Sequence, residues 1–284
     1  MRPLGAVPPP LFLIAGMATT QVGASIAKGL FDDLGPAGTV MLRVGFAAIA
    51  LMLLWRPRQR GHSRADLALL VAFGLSLAFM NFAFYEAIAR IPLGIAVTIE
   101  FIGPLGVAVA GSRRALDVLW VVLAGAGVVL LAEGGGFAAA GVALAGLAGV
   151  FWALYILASA RVGQRYPGGG GLAIAMVFGT LALLPFGIAG AGADLLDPRL
   201  LAIGAAVALL ASVIPYSLEL EALRRLPTRV FGILMSLEPA VAALVGFVVL
   251  GEGLKLRSVL AIALVGVASA GASLGTASPP PRDA

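Results

Sequence analysis

The sequence predicts an all-α integral membrane protein with ten transmembrane helices, arranged as two inverted five-helix repeats. Hydrophobic residues make up 61% of the 284 residues and charged residues only 12%, whereas a soluble domain is about half apolar and a quarter charged. The apolar residues occur in continuous runs, without the alternation that the strands of a membrane β-barrel need. A third observation, a segment that recurs 135 positions later, predicts the internal duplication.

The apolar runs are long enough for ten crossings, because a transmembrane helix needs about 20 apolar residues. We place the spans near residues 8–30, 36–55, 66–88, 92–111, 116–132, 139–160, 171–190, 198–219, 228–250 and 256–275. The first span follows three prolines and has neither a basic leader nor a clear cleavage site. We therefore expect a retained span rather than a signal peptide.

Basic residues concentrate in alternate connections between the spans. One side of the membrane carries 13 of the 19: Arg2, Arg56, Arg58, Arg60, Arg64, Arg113, Arg114, Arg161, Arg165, Arg224, Arg225, Arg229 and Arg282. The other side carries five, Lys28, Arg90, Arg199, Lys255 and Arg257, and Arg43 lies within the second span. The positive-inside rule predicts that both termini are cytoplasmic. This distribution explains the net charge of +5 without a nucleic-acid partner.

The duplication is carried by two similar turns. Residues 86–92, Glu-Ala-Ile-Ala-Arg-Ile-Pro, are matched by residues 221–227, Glu-Ala-Leu-Arg-Arg-Leu-Pro. The same offset pairs Pro104 with Pro239, Gly111 with Gly246 and Asp117 with Glu252. Five predicted crossings separate the copies, and an odd number requires the two halves to be inverted. The halves, residues 1–135 and 136–284, therefore have the architecture of a secondary transporter.

Two acidic residues lie deep in the fourth and ninth spans, where a charge is costly and suggests a function. The offset aligns Glu238 with Gly103, one helical turn from Glu100, so each half places one acid on an equivalent face. Pro104 and Pro239 follow these acids and each remove a backbone hydrogen bond. Such broken helices can line a polar cavity. A buried carboxyl group favours its neutral form, which suits proton exchange; the alternative is that each Glu only holds helices together.

Other polar and aromatic side chains within the spans are candidates for the same cavity: Gln21, Arg43, Asn81, Tyr85, Trp152, Tyr155 and Tyr216. Arg43 could neutralise an intramembrane acid or bind a substrate carboxylate. It could equally extend its side chain to a membrane interface. The aromatic residues either line the cavity or pack between helices.

The repeated turns contain candidate gates. Glu86 and Arg90, like Glu221 and Arg225, are four residues apart just before the turn proline. This spacing supports a weak ion pair on a helix. We hypothesise that each pair is a latch that breaks when its membrane face opens; the alternative is a surface pair that ends a helix.

Few residues support catalysis. The chain has no cysteine, and its one histidine, His62, lies in a basic loop, so thiolate metal sites and a histidine base are not expected. There is no Walker or Gly-x-Ser-x-Gly sequence, and residues 190–194 match an intramembrane aspartyl protease motif only loosely. We expect no enzyme, no cofactor and no resident metal, and an ion gradient as the source of energy.

Several motifs resemble those of a known family; they lie at residues 92–105, 214–219, 225–232, 235–240 and 250–252. The chain resembles the EamA-type drug/metabolite transporters, and within them the bacterial threonine/homoserine exporter group, over essentially its whole length. The resemblance implies export of small amino acids across the bacterial inner membrane, in exchange for protons. Glu100 and Glu238 lie within the matching motifs.

We expect the substrate to bind beside spans one, three, four, six, eight and nine. Another small metabolite or a drug remains an alternative substrate, and a passive channel or facilitator remains an alternative function. The sequence leaves the oligomeric state open.

Overall fold

A computed structural model describes residues 8–57, 63–110, 115–132, 138–166, 168–226 and 228–275. This described part is almost entirely helical and contains no strand, so the all-α prediction is confirmed. The predicted boundary after residue 135, His62, and the repeat positions Gly111 and Pro227 lie outside the described residues.

The first half contributes six helices: α1 (Pro9–Lys28), α2 (Phe31–Trp55), α3 (Arg64–Ile88), α4 (Leu93–Glu100), α5 (Ile102–Ala110) and α6 (Ala115–Ala132). The second half contributes α7 (Ala139–Arg165), α8 (Gly170–Ala191), α9 (Pro198–Ala208), α10 (Ile214–Arg225), α11 (Thr228–Met235), α12 (Glu238–Leu250) and α13 (Leu256–Gly275). A 3-10 turn, Gly192–Leu196, follows α8, and a π-helical turn, Leu209–Val213, joins α9 to α10.

Eight segments of the described chain are long and apolar enough to cross a membrane. The segments predicted as the fourth and fifth spans are apolar but shorter, Leu93–Val107 and Val118–Leu130. A membrane protein with many spans is thus confirmed, whereas the count of ten crossings stays a prediction.

The two spans that contain the buried acids are broken beside those acids, as the sequence predicts. The fourth span changes from α4 to α5 at Phe101, and the ninth span changes from α11 to α12 over Ser236 and Leu237. Each break lies within one turn of a proline, which cannot donate a hydrogen bond to the carbonyl four residues earlier. As a result, Glu100 is the last residue of α4 and Glu238 is the first residue of α12.

Helices at equivalent positions in the two halves pack against each other and run in opposite directions. Along α2 and α8, Gly38 faces Ala191, whereas the later residue Gly45 faces the earlier residue Thr180. A Cβ atom added to Gly45 would lie 3.4 Å from Thr180 Cγ2. These two residues are 135 positions apart, which is the offset of the sequence repeat.

The last helices of the two halves, α6 and α13, show the same arrangement. Trp120 lies against Gly271, and Gly127, later in α6, lies against Ala261, earlier in α13. Contacts between non-equivalent helices also correspond: α1 packs on α10 as α7 packs on α3, and α1 packs on α12 as α7 packs on α4 and α5. Several helix contacts of one half therefore have a counterpart in the other.

Candidate functional site

A cavity of about 510 Å³ lies between the two halves, within the size range of small-molecule sites. Helices α1, α3, α4, α5, α7, α10, α11 and α12 contribute to it, and these helices lie in the six spans that we expected beside the substrate. Helices α2 and α13 also contribute. Eight of the nine candidate side chains line it: Gln21, Arg43, Asn81, Glu100, Trp152, Tyr155, Tyr216 and Glu238. The ninth, Tyr85, does not line the cavity but is completely buried beside Arg43.

Glu238 and Gln21 form a polar pair in the wall of this cavity. Gln21 Nε2 donates a long hydrogen bond of 3.4 Å to Glu238 Oε1. The other oxygen of each side chain, Gln21 Oε1 and Glu238 Oε2, is buried and has no hydrogen-bond partner among the described residues. Because buried polar atoms are normally paired, these two acceptors indicate a site for a donor, either a proton or an ammonium group.

Glu100 reaches the cavity from the break between α4 and α5, with 7% of the residue exposed. Close contact with α7 holds this break in place. Gly149 packs so tightly on the backbone of Glu100 that an added Cβ atom would lie 2.7 Å from the Glu100 carbonyl oxygen. Next to this contact, the rings of Phe101 and Trp152 meet edge to face, with centroids 5.4 Å apart. Trp152 therefore both packs between helices and lines the cavity.

Arg43 is buried, with 5% exposed, and does not extend to a membrane interface. Its Nε donates to Ser212 Oγ at 3.0 Å, one terminal nitrogen donates to Tyr85 OH at 3.3 Å, and the other donates to the Ala211 carbonyl at 2.7 Å. No carboxylate of the described chain forms an ion pair with it. Since a guanidinium has five N–H groups, two remain for a ligand.

The Ala211 carbonyl is available to Arg43 because of the local sequence. In an α-helix this carbonyl would accept from the N–H of residue 215, but residue 215 is Pro and has no N–H. The backbone also forms a π-helical turn, Leu209–Val213, at this point. Pi-helical turns are often found at functional sites.

Three neutral candidates differ in how strongly the protein holds them. Asn81 donates from Nδ2 to the Leu77 carbonyl at 2.8 Å, which fixes its amide group. The ring of Tyr155 stacks on Phe73, with centroids 5.1 Å apart. The hydroxyl groups of Tyr155 and Tyr216 have no hydrogen bond to the described part of the chain, so both are free to contact a ligand.

One acidic residue of the cavity was not selected from the sequence. Glu219 lines the cavity from α10. It follows Tyr216 by three residues and therefore shares its helix face, so its spacing from Tyr216 could have identified it as a lining residue. Spacing could not have identified the hydroxyl side chains that also line the cavity, because small hydroxyl residues occur throughout membrane helices as packing groups. They are Thr20, Ser159, Ser269 and Ser273.

Both gate candidates form ion pairs, each within its own part of the chain. Arg90 pairs with Glu86 at 2.5 Å, and Arg225 pairs with Glu221. The Arg225 guanidinium also lies over the ring of Phe12 on α1, 5.3 Å from its centroid, which connects the two halves. Whether either pair acts as a latch stays a prediction.

A different ion pair connects the halves at the other end of α1 from Phe12, where α1 ends and α4 begins. Lys28 Nζ lies 2.7 Å from Glu252 Oε1, and the backbone N–H of Leu93 donates to Glu252 Oε2 at 2.8 Å. Leu30 and Ile91, near this ion pair, are almost completely buried. An ion pair and buried apolar side chains therefore join the two halves at this end of the molecule.

Comparison with known proteins identifies relatives of this chain. The model of a family described as the EamA-like transporter family matches residues 139–274. Two curated proteins named threonine/homoserine exporter RhtA, from Salmonella typhimurium (strain LT2) and Escherichia coli (strain K12), are each 42% identical over 270 residues. The alignments cover 94% of this chain and 91% of each relative.

A solved structure described only as "Crystal structure of protein" has the same fold, with a TM-score of 0.61 and 20% identity. The alignment covers 94% of this chain and 96% of the solved chain. The curated relatives are exporters and not enzymes, which agrees with the transporter prediction made from the sequence.

Proposed function

Because the chain belongs to the EamA-like transporter family, we propose that it exports small amino acids of the threonine and homoserine kind. Transport takes place by alternating access across the bacterial inner membrane. The observation that carries this proposal is the pairing, in one cavity, of a fixed guanidinium with two unsatisfied acceptors.

An α-amino acid is complementary to these groups. Its carboxylate accepts the two N–H groups that Arg43 does not use within the protein, and its ammonium group donates to the free oxygens of Gln21 and Glu238. Hydrogen bonds between charged groups are about twice as strong as neutral ones. A drug without both charges would leave one side of this site unsatisfied.

Glu238 also offers a simple mechanism for exchanging the substrate for a proton. Its free oxygen binds either a proton or the substrate ammonium, so that arrival of one favours release of the other. Glu100, the second buried acid of the cavity, is the equivalent group of the first half. Two carboxyl groups that share one cavity suit an exporter driven by the proton gradient.

The architecture that we propose is ten spans in two inverted repeats, residues 1–135 and 136–284. The antiparallel packing of α2 on α8 and of α6 on α13 supports the inversion. The matched family model begins at Ala139, the first residue of α7, which supports the boundary. An inverted pair of repeats with its site at their interface is the plan of many secondary transporters.

We assign the face with most of the arginines to the cytoplasm. The ion pair between Lys28 and Glu252 then lies at the periplasmic face, and the described conformation is closed to the outside. Substrate would enter from the cytoplasm in this conformation.

Transport into proteoliposomes with an imposed proton gradient tests the proposal. Threonine and homoserine should accumulate against their own gradients, and an uncoupler should abolish accumulation. R43Q and E238Q should each reduce transport by roughly tenfold or more, since each removes a charged hydrogen-bonding group. Asp194→Asn, an acid-to-amide change at an exposed residue outside the cavity, should leave transport unchanged.

The outcomes separate the alternatives. Transport of other metabolites or drugs, with no amino acid transported, would overturn the substrate. Equilibration of threonine that an uncoupler does not affect would indicate a facilitator instead of an exporter.

A further inference from the structure

Glu219 is an acidic side chain in the cavity to which the exchange mechanism assigns no role. It is the last residue of the segment Pro198–Glu219, which is apolar enough to cross a membrane, and it is partly buried. Its carboxylate forms no ion pair or hydrogen bond with the described residues. Because a polar group that is removed from water normally has a partner, an unpaired carboxylate that faces a cavity points to a ligand.

Two tyrosines lie beside Glu219. Tyr216 is one turn earlier on the same face of α10, and Tyr155 lines the same cavity from α7. Neither hydroxyl group has a hydrogen-bond partner in the described part of the chain. A carboxylate, two free hydroxyl groups and two aromatic rings together form a site for a small cation, since ammonium groups bind both carboxylates and aromatic faces.

Glu219 lies at a different level of the cavity from Arg43. The Arg43 guanidinium binds Ala211, eight residues before Glu219 on the continuous helical path from the π-helical turn into α10. At a rise of 1.5 Å per residue the two backbone positions are about 12 Å apart. A substrate held at Arg43 by its carboxylate, with its ammonium group at Gln21 and Glu238, therefore leaves the Glu219 carboxylate free for a second ammonium group.

The cluster also lies nearer the basic end of α10. Glu219 is six residues before Arg225, the last residue of the helix, which corresponds to about 9 Å. Ser159 on α7 and Ser273 near the end of α13 line the cavity at the corresponding ends of their helices. A substrate that arrives from this face meets Glu219 before it meets Gln21 and Glu238.

We propose that Glu219, Tyr155 and Tyr216 form a second subsite, which binds the primary ammonium group of the substrate on its way from the cytoplasm to the deeper site. This inference rests on the proposed function for the direction of movement, but the cation subsite itself does not depend on which amino acid is exported. A carboxylate at this position concentrates cationic substrate near the mouth of the cavity.

Equilibrium binding of ethanolamine, a primary amine without a carboxylate, tests the subsite on the purified full-length chain in detergent. The wild type should bind two molecules per chain, one at Glu238 and one at Glu219. E219Q and E238Q should each bind one, with the lost site weakened by roughly ten- to a hundredfold. Asp194→Asn is the matched control and should bind two.

Two molecules bound to E219Q with unchanged affinities would overturn the subsite, and so would complete loss of binding in E238Q. If E219Q does not yield monodisperse protein, the double variant Y155F/Y216F removes only the two hydroxyl groups. It should weaken one of the two sites by several-fold, and unchanged affinities would overturn the proposal.

Transport separates this inference from the proposed function. In proteoliposomes that expose the cytoplasmic face, E219Q should raise the KM for threonine with a smaller change in kcat. Two amine sites in a protein that transports no amino acid would leave the subsite intact and overturn only the substrate. Threonine export with a KM unchanged by E219Q would overturn the subsite's role in transport and leave the exporter intact.

Discussion

Arg43 is held in the cavity by three hydrogen bonds, and one of them depends on a proline in another helix. Pro215 has no N–H to donate, so the carbonyl of Ala211 lacks its α-helical partner and accepts from Arg43. Ser212 and Tyr85 hold the other two guanidinium nitrogens. A guanidinium fixed at three points loses less conformational entropy when it binds a carboxylate, which explains how a proline can contribute to affinity without touching the substrate.

We therefore expect Pro215→Ala to raise the KM for threonine by roughly three- to tenfold, because the new N–H at residue 215 competes with Arg43 for the Ala211 carbonyl. Transport at varied threonine concentration in proteoliposomes measures the effect, and kcat should change less than KM. Pro185→Ala is the control, since Pro185 lies inside α8 and does not line the cavity. An equal effect of the two substitutions would contradict the positioning role.

Which residues line the cavity could largely be predicted from single side chains. Gln21, Arg43, Glu100 and Glu238 are polar groups in apolar spans, and their cost in a membrane identifies them without a structure. Their partners could not be predicted in this way. The bond between Arg43 and Ala211 joins residues 168 positions apart, and it depends on a local change of helix type that side-chain periodicity does not report.

At the scale of helices, the sequence predicted where α4–α5 and α11–α12 break, because a proline removes one identifiable hydrogen bond. The start of the second span also agrees with the prediction. At Gly35 the backbone is not helical (φ 64°, ψ 168°), so α2 consists of a short helical turn from Phe31 and a long helix that begins at Pro36, the residue from which we placed the span. A glycine and proline pair ordinarily marks a turn, and here it marks a kink between two helical segments.

Close packing of glycine holds the α4–α5 break against α7. Gly149 contacts the backbone of Glu100, and Gly103 contacts the backbone of Gly149, with no room for a Cβ atom at either position. We expect Gly149→Ala to destabilise the protein by about 1–3 kcal/mol, because overpacking forces the backbones apart. Gly146 lies on the same helix, and an added Cβ would meet nothing within 4 Å.

Thermal unfolding of the two variants in detergent measures this difference. Gly149→Ala should lower the Tm, whereas Gly146→Ala should leave it unchanged or raise it slightly, since Ala favours a helix over Gly. Because the displaced backbone carries Glu100, Gly149→Ala should also reduce proton-driven transport. Equal Tm values for the two variants would show that the break does not depend on this contact.

At the scale of the whole molecule, the two halves share one cavity and are joined by a polar contact at one end. Three residues form this contact: Lys28 at the end of α1 and Leu93 at the start of α4, both in the first half, bind the same carboxylate of Glu252 in the second half. In the proposed alternating-access mechanism such a contact forms in one state and breaks in the other. Its free energy would then favour the state in which it is formed.

Glu252→Ala should consequently shift the protein towards the state that is open to the periplasm. Loss of a partly buried charged pair worth about 1.4 kcal/mol changes the ratio of two states roughly tenfold. The chain contains no cysteine, so a single Cys in place of Ala24, which lines the cavity four residues before the end of α1, reports this change without background. A membrane-impermeant thiol reagent added outside intact cells should label Ala24→Cys slowly, and several-fold faster when Glu252→Ala is also present.

Lys255→Ala provides the matched control, because Lys255 follows Glu252 in the same connection and is exposed without an ion pair in the described structure. It should leave the labelling rate unchanged. Rapid labelling of Ala24→Cys from outside without Glu252→Ala would mean that this face is open or that it faces the cytoplasm. Unchanged slow labelling with Glu252→Ala would show that apolar packing of residues such as Leu30 and Ile91 closes the face. The ion pair would then form as a consequence of that packing and would not stabilise the closed state.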